Sequence, residues 1–126
     1  AGKKGSRENT RLKQNNNVVS SNNCSNNDYY GMRLYGSCNN IVYLNNFINN
    51  ADNIDSRSST NIWNSTSKIN YTYRGKTFAN YLGNYRDDYA GSDSDNDGIG
   101  ESPSGIDSDE DNHPLVMPSE NYFVET

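Results

Sequence analysis

The sequence predicts an all-β fold, a short parallel β-helix of about two coils closed by a C-terminal β-hairpin and a loop-rich cap. Residues 17–27, Asn-Val-Val-Ser-Ser-Asn-Asn-Cys-Ser-Asn-Asn, return at residues 40–50 as Asn-Ile-Val-Tyr-Leu-Asn-Asn-Phe-Ile-Asn-Asn. Asn17, Asn22, Asn23, Asn26 and Asn27 thereby recur as Asn40, Asn45, Asn46, Asn49 and Asn50, and a period of this size marks a repeat architecture. The repeated residue type points the same way. An asparagine amide both donates and accepts, so identical Asn stacked coil over coil form hydrogen-bonded ladders. Past Trp63 the pattern gives way to two alternating apolar runs around a glycine-containing turn, the signature of a hairpin.

Residues 1–11, which carry Lys3, Lys4, Arg7 and Arg11, read as a solvated leader. Residues 12–63 are assigned to the coils. There Val18-Val19 overlie Ile41-Val42, and Cys24 overlies Phe47 as a small buried core residue. Tyr29 to Gly36 reads as a strand, with Met32 and Leu34 alternating inward and a glycine near each end. Residues 52–60 show no period and read as a loop. Residues 64–126 form the cap, beginning with strands over Ser67–Tyr73 and Thr77–Leu82 around Arg74-Gly75-Lys76. Such a hairpin covers a strand edge that would otherwise template pairing. No helix start or stop signal stands out. Two coils fall short of the ~3 units that repeat proteins usually need. The N-terminal face is therefore expected to be open, either to upstream coils of a longer β-helix or to a second copy of the chain.

Charge divides the chain. Residues 1–76 hold ten basic against four acidic side chains, whereas residues 77–126 hold Arg86 against twelve acids. The acidic half disfavours nucleic acid and favours a cation site or a solvated tail. No apolar run approaches the ~20 residues of a membrane-spanning helix, so no membrane insertion is expected, and no signal peptide is evident. Sequons at Asn23, Asn64 and Asn70 lean toward the cell exterior. Cys24 and Cys38 can be bridged only at a suitable Cα separation, which leaves a disulfide open.

The strongest local motif is Asp93-Ser94-Asp95-Asn96-Asp97-Gly98-Ile99-Gly100-Glu101. Carboxylates at positions 1, 3 and 5, a glycine at 6, a carbonyl at 7 and Glu101 at 9 match the first half of an EF-hand loop, whose wound backbone aims alternate oxygens at one Ca²⁺. Ser104 replaces the bidentate Glu of position 12, and Gly91 and Pro103 disfavour flanking helices. The expected ligands are Asp93, Asp95, Asp97, the Ile99 carbonyl and Glu101. Asp107 and Asp109, with Asp111, Asp87 and Asp88 close by, are candidates to complete the shell.

The run from Tyr81-Leu82-Gly83-Asn84-Tyr85 through Asp87-Asp88-Tyr89, the acidic loop, and Ile106-Asp107 to His113-Pro114-Leu115, together with the Asn-rich coils, resembles NosD-like β-helix repeat proteins. The resemblance covers nearly all of the chain beyond about Asn15 and includes a C-terminal module common in surface and S-layer-associated archaeal members. It implies a right-handed parallel β-helix, a carbohydrate-binding or sugar-hydrolysis type of repeat, and a place outside the cell. Arg86 departs from it, standing where the family usually has Trp.

Three functions compete. The favoured one is a non-enzymatic extracellular structural or carbohydrate-binding module of a cell-surface protein, stabilised by Ca²⁺. Its partners would be a surface polysaccharide or neighbouring surface proteins, and Tyr29, Tyr30, Tyr35 and Tyr43 would stack on sugar rings. The alternative is the C-terminal fragment of a polysaccharide-degrading hydrolase or lyase, for which Asp28, Asp52 and Asp55, with Arg33, are the available coil residues. Copper handling, suggested by the family name alone, would need clustered His, Cys or Met ligands, and the chain offers one histidine, His113, with Met32 and Met117 far apart in sequence.

Overall fold

The computed structural model describes residues 10–12, 16–57, 59–107 and 109–125. Apart from Thr10 and Arg11, the leader expected over residues 1–11 lies outside them. The described chain is all-β: thirteen short strands and one 3₁₀ turn at Ser119–Asn121, with no α-helix.

Strands β1 (Thr10–Leu12), β2 (Val18–Ser20), β3 (Asn23–Ser25), β4 (Tyr30–Leu34), β5 (Ile41–Tyr43), β6 (Asn46–Ile48) and β7 (Asp52–Asp55) form three parallel ladders. The first joins β1, β4 and β7, with Met32 beside both Thr10 and Ile54. The second joins β2 to β5, Val18 beside Ile41, and Ile62 extends it. In the third, β3 lies against β6 with Cys24 opposite Phe47. The register is that of the Asn repeat, and Cys24 is fully buried as expected. No disulfide joins it to Cys38.

Asparagine makes the seams and, with Ser21 and Leu44, the corners. Asn16, Asn26, Asn39 and Asn49 all have φ near +60°, a left-handed conformation that Asn tolerates better than most residues because its short polar side chain bonds locally. Other asparagines point into the stack. The Asn17 backbone N–H and Nδ2 both donate to Oδ1 of Asn40, and Asn40 donates in the same way to Asn61. A second ladder runs from Asn22 to Asn45 to Asn84. Asn40 and Asn45 are fully buried, so each ladder supplies hydrogen bonds that the interior would otherwise lack.

The coils were expected to end at Trp63, but the stack continues after the hairpin. Strands β8 (Ile69–Tyr73) and β9 (Lys76–Asn80) pair antiparallel around Arg74 and Gly75, both at positive φ. The chain then returns as β10 (Tyr85–Arg86), parallel to β6. Asn84 therefore occupies the next rung 39 residues after Asn45 instead of 23. The loop expected over residues 52–60 likewise contains a strand, β7, which completes the first ladder with Ile54 inside. Its polar residues, of which Asn53 and Asp55 are themselves buried, concealed the single apolar side chain.

Two cores result. Cys24, Met32, Leu34, Val42, Phe47, Ile54 and Trp63 fill the stack, and Ile106 from the cap closes it. Ile106 belongs to a small antiparallel pair, β11 (Ser104–Ile106) and β12 (Asp109–Asp111). The second core is aromatic: Tyr71, Tyr73 and Tyr122 pack with Leu44, Leu82, Ile99 and Leu115. Tyr122 opens β13 (Tyr122–Val124), which pairs antiparallel with β8.

Candidate metal centre

The acidic loop packs against this aromatic core. Gly98, at φ +87°, turns the chain so sharply beneath Tyr122 that a Cβ there would strike the Tyr122 ring. The Tyr71 hydroxyl donates to the carbonyl of Asp97 at 2.7 Å, and the Tyr122 hydroxyl donates to that of Gly98. Two buried rings thus fix the backbone of the turn. No spacing rule points to these tyrosines; the one sequence signal is the abundance of Tyr, ten in all.

With its backbone held, the loop gathers Asp93, Asp95, Asp97 and Glu101, whose candidate ligand oxygens all lie within 4.8 Å of one another. Asp93 Oδ2 accepts the Gly98 N–H at 2.8 Å, and Asp97 Oδ1 accepts that of Ile99 at 2.9 Å. Glu101 folds back over the turn, its Oε1 accepting the Ser94 N–H at 2.6 Å. Crowding sets the electrostatics. Burial, assisted by the neighbouring Asp95 carboxylate, pushes the Asp97 carboxyl up to about 6, while a hydrogen bond with Asp93 holds Asp95 below its ordinary value. Carboxylates so close share protons when nothing else neutralises them. A divalent cation with oxygen preference removes that penalty and uses the same atoms.

Ile99 sits in this loop, nearly fully buried and bridged to Leu115. Asp107 and Asp109 are not brought into the group. Asp107 Oδ2 accepts the Ser56 N–H at 2.6 Å, and Asp109 Oδ2 accepts the Asn61 N–H at 2.9 Å and the Trp63 indole N–H at 3.1 Å. Asp111, buried, accepts the Asn84 N–H. Asp87 takes the Asn49 N–H and, with Asp88, the Asn53 amide. These acids stand on the last rungs of the stack, where N–H groups point out of the final repeat and an acceptor-only side chain satisfies them.

The four tyrosines assigned to sugar stacking do not converge. Tyr29 and Tyr30 are neighbours, with ring centroids 6.4 Å apart and Arg33 over the Tyr30 ring. Tyr35 is exposed beyond the end of β4, and Tyr43 lines a separate cleft against the hairpin. Of the coil acids, Asp55 is buried between Arg33 and Arg57, with N···O separations of 3.3 and 2.8 Å. Arg86 is tied down too, donating to Ser104 Oγ and the Gly105 carbonyl. Among the described residues, no helix is long and apolar enough to cross a membrane.

No curated protein and no solved structure gives a match to the chain. A family model described as periplasmic copper-binding protein (NosD) matches residues 8–91. The acidic loop begins just beyond that span. The match covers well over half of the sequence and takes in all three parallel ladders, so the chain belongs to the NosD family.

Proposed function

We propose that the protein is a non-enzymatic module of a cell-surface protein, its parallel ladders the coils of a right-handed β-helix and its cap stabilised by one Ca²⁺. The observation that carries this reading is the oxygen cluster of Asp93, Asp95, Asp97 and Glu101 on a turn held by two buried tyrosines. Carboxylate and carbonyl donors suit Ca²⁺, and the Ile99 carbonyl is the next ligand in the loop. The polar, tyrosine-bearing surface suits a carbohydrate partner at the cell exterior, or neighbouring surface proteins. A second copy docked at the N-terminal face remains part of the same reading.

The copper in the family's description does not fit these residues. Cu(I) favours thiolate and thioether ligands, and imidazole nitrogen is the other donor suited to copper. Cys24 and Met32 are fully buried in the coil core, and among the described residues the single metal-competent group of His, Cys, Asp and Glu is all carboxylate.

A glycan array run beside an assay for new reducing ends tests the function. Binding without reducing-end release supports a binding module. Release that depends on Asp28 or Asp52 would establish the polysaccharide-degrading alternative instead.

A further inference from the structure

We infer that the cleft between the coil wall and the hairpin is a binding site for a neutral sugar residue, an inference that rests on the carbohydrate reading above and gives it a place. The cleft measures about 530 Å³, inside the range of small-ligand sites. It lies between two walls. One carries Ser20 and Tyr43, register partners on β2 and β5, so their side chains share one face of the ladder. The other carries Lys68 and Asn70 with Glu125, whose backbone N–H donates to the Asn70 carbonyl at 2.9 Å.

The chemistry of the lining selects the ligand. Tyr43 is half-buried and packed against the aromatic core, which gives it a fixed ring. A pyranose presents an apolar C–H face to such a ring and a rim of hydroxyls, each needing both a donor and an acceptor. Lys68 only donates, Glu125 only accepts, and Ser20 and Asn70 do both. Lys68 and Glu125 cancel in charge, and the chain as a whole is acidic at −5, so a uronate or phosphate gains nothing here over a neutral sugar. Tyr29 and Tyr35 lie outside this lining.

Titrating the ¹⁵N-labelled full chain with cellotriose, chitotriose and trigalacturonate tests the site. The expected result is amide shifts at Ser20, Tyr43, Asn70 and Glu125 with at least one neutral trisaccharide. Lys68→Ala should weaken that binding roughly tenfold, the loss of one hydrogen bond to a charged donor. Glu125→Ala provides an independent second variant, and Lys76→Ala, outside the lining, should bind as the unaltered chain does. A neutral trisaccharide that still binds fully to both cleft variants overturns the site while leaving the carbohydrate reading intact. Preference for trigalacturonate overturns the ligand class. No binding of any of the three by the unaltered chain overturns both.

Discussion

The backbone N–H of Asn84 donates to Oδ2 of Asp111 at 2.8 Å, and this bond ends the buried ladder that begins at Asn22. Each Asn in the ladder hands its N–H to the amide oxygen of the next rung. The last donor then needs an acceptor that asks for no further rung, which a carboxylate is. Asp109 closes the parallel ladder from Asn17 in the same way, through the Asn61 N–H. The acidic tail thus finishes the Asn repeat chemically as well as sterically.

Asp111→Ala should destabilise the fold by roughly 2–4 kcal/mol, because it strands the buried N–H of Asn84 and the part-buried N–H of His113 together. Asp111→Asn, which keeps an acceptor in place, should cost about 1–2 kcal/mol, since one amide hydrogen then faces a donor. Urea unfolding of the two variants gives the comparison. Equal losses would mean that the acceptor oxygen retained in Asp111→Asn contributes nothing, and would contradict its place at the end of the ladder.

The pH dependence follows from the same carboxyl. Burial raises Asp111 to about 7, against the lowering effect of its bonds to His113 and Asn84. A raised carboxyl favours the folded state while protonated, so its stabilisation is complete below the ordinary value of 3.8 and is lost as pH rises through about 7. His113, held down by burial, acts in the opposite sense as pH falls through its ordinary 6.5. Comparing the unaltered chain with Asp111→Asn separates the two. Between about pH 5 and pH 8 the unaltered chain should lose stability relative to the variant, and parallel curves would contradict a buried titrating Asp111.

Asn45→Ala should cost roughly 2–4 kcal/mol. The buried amide donates to the Val19 and Tyr43 carbonyls and accepts from Asn22, so removal leaves several polar groups unmet. Asn22→Ala, at the exposed start of the same ladder, should cost about 1 kcal/mol. Thermal or urea unfolding that ranks them in the reverse order would show that the ladder does not carry the stack.

Gly83→Ala is expected to destabilise by roughly 2–3 kcal/mol, because a Cβ there meets the Asp111 carboxylate and the His113 carbonyl. At Gly105 the same methyl meets nothing, and its effect should stay within about 0.5 kcal/mol. The pair, measured in one denaturant series, checks how tightly the cap is closed on the last rung.

The sequence made the stack legible because Asn17, Asn22 and Asn27 each have to meet a partner one period on, and hydrogen-bonding demand conserves register even where apolar residues vary. It hid Asn84 because an inserted hairpin lengthens that interval, and a scan at fixed period passes over it. The hairpin itself was readable from alternation around Gly75. The clustering of Asp93, Asp95, Asp97 and Glu101 was readable as well, since the spacing of carboxylates on one turn is a local property of the chain. Asp107 and Asp109 were misplaced for a physical reason: a carboxylate beside a cation site and one closing a ladder of N–H groups look alike in sequence. Only the fold shows that Asp109 faces Asn61 and Trp63.

The most direct test of the central claim is the thermal midpoint of the unaltered chain in Ca²⁺ and in EGTA at neutral pH, with Asp95→Asn/Asp97→Asn alongside. A ligand that binds only the folded state at 100 times its Kd adds about 2.7 kcal/mol, so Ca²⁺ should raise the midpoint of the unaltered chain by several degrees and leave the double variant unmoved. Lowering pH through the Asp97 value of about 6 should weaken the effect, because the ligand must be ionised to bind. An identical midpoint in Ca²⁺ and EGTA would contradict the account.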